Sequence, residues 1–375
     1  MKKIRFLVVN ANDWFNKGDV TNRLGLVLAL KKVFGKKEIE IYIESLTADK
    51  DMEYFERFQG VKVIESVFAT RTRTGISAMV IETLRNLIFF LAFFVLGLFL
   101  RKFRKALARK NMREIHFRDK TREFLKIRNN VALLYSSDMV ISSPGGFLHD
   151  AYPYILLINL LPMFLAMLLK KPFIIYNQSI GPFRSRILAW LTRLIICKAR
   201  LITLREETSL IGFPKACTYI ITADSTFSIR SYIKNIIKDT TIAKRQELDN
   251  WIRKLHELKT DKMLLVGITI VGYYVLYKSR EKMLRYIDFL GTALRKINQE
   301  MRKKGLRVQY VILPQNANKY ELKLIRKIEE ILKRRYGISN ILFIEEDFSP
   351  EEIFFLQNNI LNFRQNTGLS TTNCL

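Results

Sequence analysis

A chain of 375 residues that is 49% hydrophobic can bury two ordinary cores and is too apolar for a disordered protein. Its 63 Lys and Arg against 35 Asp and Glu give a formal charge of +28, so the expected partners are anionic: nucleic acid, acidic headgroups, or phosphorylated and carboxylated small molecules. No zinc-finger spacing, RRM aromatic signature or basic zipper is present, so nucleic acid is not expected among them. Cys197, Cys217 and Cys374 share no CxxC or Cys/His ligand spacing; reduced intracellular thiols are expected, with no disulfide scaffold and no metal site.

Ile4 to Val9 reads as a first strand, too short in its apolar run for a signal-peptide core, which points to a cytoplasmic chain. The polar loop NANDWFNKGD and a periodic helix, Val20 to Phe34, follow; EIEIYIESL and VKVIES read as the next strands. An apolar and basic insertion is expected at about 71–125. Its block from Asn86 to Leu100 falls short of the roughly 20 residues of a membrane span. A buried core helix, a span and an interfacial helix stay open there. The run Arg101, Lys102, Arg104, Lys105 directly after the block favours an interfacial helix on an anionic membrane surface through 71–110.

From Val131 short strands alternate with helices: DMVISS, a PGGFLHD turn, a helix from Ile155 to Leu169, PFIIYNQS, a helix from Arg184 to Ala199, ARLITLREE and YIITAD. That alternation predicts an α/β domain with a mostly parallel sheet over 1–238, and such sheets bind ligands at the carboxyl ends of their strands. A charged helical connector, 239–262, leads to a second domain of the same kind, 263–375, expected to be incomplete, with an irregular tail from about 357. Its helix beginning SPEEIFFL has Ser349 as a cap, Pro350 at its first position and acids in its first turn.

The polar residues gather just after strands: Asn16, Gly18 and Asp19; Gly145, Gly146, His149 and Asp150; Gln178 and Ser179; Arg205; Asp224. Five such ends imply one crevice. Each has a plainer role as well. NKGD serves equally as a helix start capped by Asp19 or as N–H groups aimed at an anion. Gly145-Gly146 makes a tight turn or admits a ligand to the backbone. Arg205 pairs with Glu206 or Glu207, or grips a carboxylate or phosphate in two-pronged fashion. A lone His149 is more often structural than acid or base.

Taken in order, NKGD, PGGFLHD, KPFIIYNQSIGPF, ITLREETS and ITADSTF resemble the polysaccharide pyruvyl transferase family, strongly over residues 1 to 230 and by pattern over 263 to 356. The resemblance implies two Rossmann-like halves similar to GT-B glycosyltransferases. It also implies transfer of the enolpyruvyl carbons of phosphoenolpyruvate, the donor substrate, to a glycan or lipid-linked saccharide at the inner face of the cell membrane, with no cofactor. On that basis Arg205 is the donor-binding arginine and Asp150 and Asp224 are the candidate catalytic acids. Asn16, Gly18, Asp19, Gly145, Gly146, Gln178 and Ser179 shape the pocket. The family's Arg-Leu-His strand after the last helix is replaced here by FRQNTGLSTTNCL. The chain is therefore expected to be truncated or frame-shifted near Leu356, or to be a degenerate and inactive member. A nucleotide-sugar glycosyltransferase and a non-catalytic membrane-surface protein are the alternatives.

Overall fold

The computed structural model describes residues 3–11, 14–35, 38–66, 123–151, 153–210, 217–229, 232, 242–270, 280–314 and 319–361. The 71–110 segment and its apolar block lie outside them. Two units emerge, one of Met1–Trp14 with Asp19–Arg230, the other of Phe15–Gly18 with Ser231–Leu375. Among the described residues no helix is long and apolar enough to cross a membrane.

In the first unit the order is β1 (Ile4–Ala11), α1 (Lys17–Phe34), β2 (Ile39–Ser45), α2 (Ala48–Phe55), β3 (Val61–Glu65), α3 (Glu123–Ser136), β4 (Met139–Ser142), β5 (Gly145–Leu148), α4 (Pro153–Leu168), β6 (Phe173–Ile180), α5 (Arg186–Ile196), β7 (Leu201–Leu204) and β8 (Ile220–Ile221). The strands lie in the order β3-β2-β1-β4-β6-β7-β8, and their pairings are parallel. β5 takes up the place beside β6 beyond the end of β4, pairing Gly145 with Gln178 and Leu148 with Ile180. PGGFLHD is therefore partly strand: the backbone after Pro144 finds free ladder positions on β6, and that pairing outweighs the turn chemistry of the two glycines. Order reverses between β1 and β4, the switch point at which open α/β sheets place their ligand crevice.

Both faces of this sheet are covered, which explains why Phe6, Leu7, Val8 and Val9 are all buried in succession. Helix α4 is apolar nearly all round and supplies Leu156, Leu160, Phe164 and Leu165 to the main core. Helix α1 begins at Lys17, so Asp19 lies inside its first turn instead of capping it, where its charge still complements the helix dipole. Between α1 and α2 the ion pair Arg23–Asp51, 2.8 Å, is almost wholly buried, and Ser45 also donates to Asp51.

The second unit contains α6 (Ile242–Leu258), β9 (Met263–Ile268), α7 (Arg280–Lys303), β10 (Arg307–Ile312), α8 (Lys319–Tyr336), β11 (Ile341–Phe343) and α9 (Pro350–Leu361). Its sheet runs β11-β10-β9, all parallel. One core gathers Ile287, Leu294, Ile325 and Leu332 around Tyr310, and the other holds Leu248, Leu255, Leu356 and Ile360. Tyr310 donates to the Leu294 carbonyl at 2.8 Å, and burial pushes its phenol up to about 12. Ser349 and Glu352 form a reciprocal capping box, each accepting from the other's backbone N–H, at 2.8 and 3.4 Å. The helix they start continues to Leu361, so residues 357–361, expected to open the irregular tail, are helical.

Candidate functional site

Register builds the site. Gly145 is level with Gln178, Gln178 with Leu204, and Leu204 with Ile221 across four parallel strands. One step further along each strand comes a row of Gly146, Ser179, Arg205 and Thr222, at the carboxyl edge of the sheet. Within this row Arg205 Nε donates to Ser179 Oγ at 2.6 Å, and Nη1 donates to Asp224 Oδ2 at 3.3 Å, with both charged side chains about one quarter exposed. A Cβ on Gly146 would stand 3.0 Å from Arg205 Nη2, so the missing side chain is the space the guanidinium uses. Gly145 answers to packing instead: a Cβ there would meet the Phe147 ring at 2.5 Å. Four residues singled out in the sequence, Gly146, Ser179, Arg205 and Asp224, are thus one cluster.

The neighbours of this cluster hold it in place. Asn177, buried and at φ +50°, gives its backbone N–H to Thr203 Oγ1 at 2.7 Å and accepts at Oδ1 from the Thr222 hydroxyl at 2.5 Å. Thr222 N–H donates to the Leu204 carbonyl at 2.8 Å, which sets the path of the chain into Asp224. The other oxygen of Asp224, Oδ1, accepts from Thr226 N–H at 2.9 Å. Ser225 Oγ reaches Asn22 Oδ1 on α1 at 2.8 Å, and a Cβ on Gly25 would meet the Ser225 carbonyl oxygen at 2.5 Å, so α1 packs hard against this turn. Tyr176 has its phenol pushed up by burial and, second, by the charge of Asp224.

Beneath the row lies a buried polar floor at the switch point. Ser142 Oγ accepts from Asn10 Nδ2 at 3.2 Å and from Gln178 Nε2 at 3.3 Å, and Gln178 also donates to the Ser143 carbonyl. Asn10, at φ +61°, donates further to the Asn159 carbonyl at 2.9 Å. Gln178 is fully buried and supports the site from below through its two donations. Asn177 stands in the polar cluster the sequence offers after PFII; Asn10 and Ser142 were not legible as site residues, and positive φ at Asn10, as at Asn177, is the signal that marks that strand end in retrospect.

Asp150 stands in a different place. Its Oδ2 accepts from the backbone N–H of Arg184 at 2.7 Å and of Ser185 at 2.6 Å, bracing the entry to α5. This geometry is that of a positioning residue. His149 Nδ1 accepts from Ala151 N–H at 3.2 Å, and burial lowers its proton affinity against the opposing pull of Asp150. Burial thus disfavours the protonated imidazole, and Nδ1 is engaged as an acceptor. Asn16 and Gly18 group with the second unit and Asp19 with the first.

Cys197 and Cys217 are joined as a disulfide with Cα atoms 5.2 Å apart, which corrects the expectation of separate thiols. The bond ties the end of α5 to the strand-entry segment before β8. Twenty residues of sequence separate the partners, and only the order of the sheet edge brings them together. Among the described residues no group of three or more His, Cys, Asp or Glu side chains could hold a metal ion.

A model of the polysaccharide pyruvyl transferase family matches residues 76–353. No curated protein matches the chain. Among solved structures, UDP-GlcNAc 2-epimerase from Neisseria meningitidis bound to UDP-GlcNAc is similar at 12% identity over 96% of this chain and 76% of that one, TM-score 0.48. A UDP-N-acetylglucosamine 2-epimerase homologue from Listeria monocytogenes gives 12% identity, 96% and 73% coverage and a TM-score of 0.49. An Anabaena protein in complex with UDP and glucose gives 10%, 94% and 71%, and 0.47.

Proposed function

The chain belongs to the polysaccharide pyruvyl transferase family, and from that premise we propose that it transfers the pyruvyl group of phosphoenolpyruvate to a sugar of a cell-surface polysaccharide or its lipid-linked precursor. The observation that carries the reading is the Arg205 cluster at the carboxyl edge of the first sheet. Phosphoenolpyruvate offers a carboxylate and a phosphate, and a guanidinium held by Ser179 presents a fixed fork to either. Asp224 neutralises Arg205 in the free protein, so a bound anion takes over part of that pairing. The released carboxylate is then free to act on the acceptor.

In this account a proton adds to the methylene carbon and leaves an oxocarbenium centre at C2. One sugar hydroxyl adds to C2, the bond from C2 to the phosphate oxygen breaks, and a second hydroxyl completes the ketal as inorganic phosphate departs. Asp224 stabilises the cation or accepts a hydroxyl proton. Asp150 shapes the loop through Arg184 and Ser185, and Gln178 holds the floor. His149 is not assigned the acid's part, because burial disfavours its protonated form and its Nδ1 already accepts from Ala151 N–H.

Calorimetric titration with phosphoenolpyruvate tests the donor half. Arg205→Ala is expected to remove binding while leaving thermal stability unchanged; equal affinity in the wild type and the variant would take Arg205 out of the site.

A further inference from the structure

We propose that α5 is a second, independent docking surface, and that its partner is a bilayer carrying anionic headgroups. Three large apolar side chains project from it into solvent: Ile187 is 75% exposed, Trp190 60% and Leu194 39%. At 100° per residue these three fall on one stripe, with Arg186 and Arg193 along one border, and Lys198 follows just past the helix end. The opposite face is used already: Thr192, Ile195 and Ile196 are buried, the two isoleucines in the main core.

The helix cannot turn to hide the stripe. Its start is fixed by Asp150 on the N–H groups of Arg184 and Ser185, and by Ser185 Oγ accepting from Leu188 N–H at 3.3 Å. Its end is fixed by Cys197, bonded to Cys217. A rigid helix with an apolar stripe bordered by cations is the arrangement that lies in a headgroup layer, Trp at the boundary and aliphatic side chains below it.

Charge decides the occupant. Residues 184–200 contain five Lys and Arg and no carboxylate. Self-pairing of this face would set like charges against each other, and the basic 71–110 segment has the same sign. An anionic lipid surface complements it, and Ile187 and Leu194 suit the acyl boundary better than a nucleic-acid backbone. Since α5 follows β6, its first turn lies at the carboxyl edge of the sheet, the edge that carries Arg205. A saccharide held by a lipid would reach the sheet from that side. The docking itself requires nothing of the pyruvyl-transfer reading.

The test uses the full chain with vesicles of phosphatidylcholine, alone or mixed with phosphatidylglycerol and brominated acyl chains, and with no phosphoenolpyruvate, so that the two readings fail separately. Sedimentation with the anionic vesicles is expected, with quenching of tryptophan emission that disappears in Trp190→Phe. Arg186→Gln with Arg193→Gln is expected to lower partitioning about 25-fold, from about fivefold per cation. Ile187→Ser, Trp190→Ser and Leu194→Ser together are expected to abolish sedimentation with the anionic vesicles with the melting temperature unchanged, as these side chains lie outside the core clusters. Unaltered partitioning in both variants, absence of quenching, or a change in self-association in place of vesicle binding would each overturn the proposal.

Discussion

Gly146→Ala changes one methyl group and no charge, and it is aimed at the space occupied by Arg205. The new Cβ would lie 3.0 Å from Nη2, 3.8 Å from Ser179 Cβ and 3.9 Å from Ser179 Oγ. The first of these is tighter than a Cβ ordinarily comes to another heavy atom, so the neighbour must give by a few tenths of an ångström. The guanidinium is the mobile partner, and it carries two bonds that such a shift degrades: Nε to Ser179 at 2.6 Å and Nη1 to Asp224 at 3.3 Å. A hydrogen bond to a charged group is worth about 1.5–3 kcal/mol, and weakening one by half corresponds to about 1 kcal/mol, or roughly a fivefold to tenfold rise in Kd for phosphoenolpyruvate. Stability should hold, because the group displaced is the partly exposed end of a long side chain. Calorimetric titration beside a thermal melt reads both quantities. An unchanged Kd in a folded variant would refute the claim that Arg205 receives the donor.

Asp51→Ala should destabilise the first unit by about 3–5 kcal/mol in a denaturant titration, since it leaves Arg23 buried and charged without its carboxylate. Adding Arg23→Met to it should recover part of the loss, and additive losses would contradict this pairing. For His149 the sign follows from burial: the folded imidazole binds its proton less readily than the unfolded one, whose pKa is about 6.5. Its contribution is therefore complete above about pH 6.5 and is lost as pH falls from there toward the lowered folded value. His149→Asn should flatten that limb of the urea midpoint against pH, and an identical slope in the variant would show that His149 does not cause it.

Strand ends were legible because Ile- and Val-rich runs stop abruptly at polar residues, as at FIIYNQS and LITLRE. Which ends meet was not legible. Gly146, Ser179, Arg205 and Asp224 become neighbours only through the lateral order β5-β6-β7-β8, and no local pattern encodes lateral order. The pattern implied one crevice for all five strand ends, and the lateral order selects these four residues from them. Asp150, four residues after the glycine pair, reads in the sequence as chemistry, and the partners the fold gives its Oδ2 are backbone N–H groups 34 and 35 positions away. The disulfide was hidden for the same reason as the cluster, and the capping box at Ser349 was visible because its partners are three residues apart.

The most direct test of pyruvyl transfer is to incubate the chain with carbon-13-labelled phosphoenolpyruvate and cell-surface glycan or its lipid-linked precursor, and to follow the label by NMR. The account predicts a new quaternary ketal carbon on the glycan, with inorganic phosphate released in equal amount and both lost in Arg205→Ala. Donor binding without any ketal carbon, across acceptors from the organism's own envelope, would contradict it.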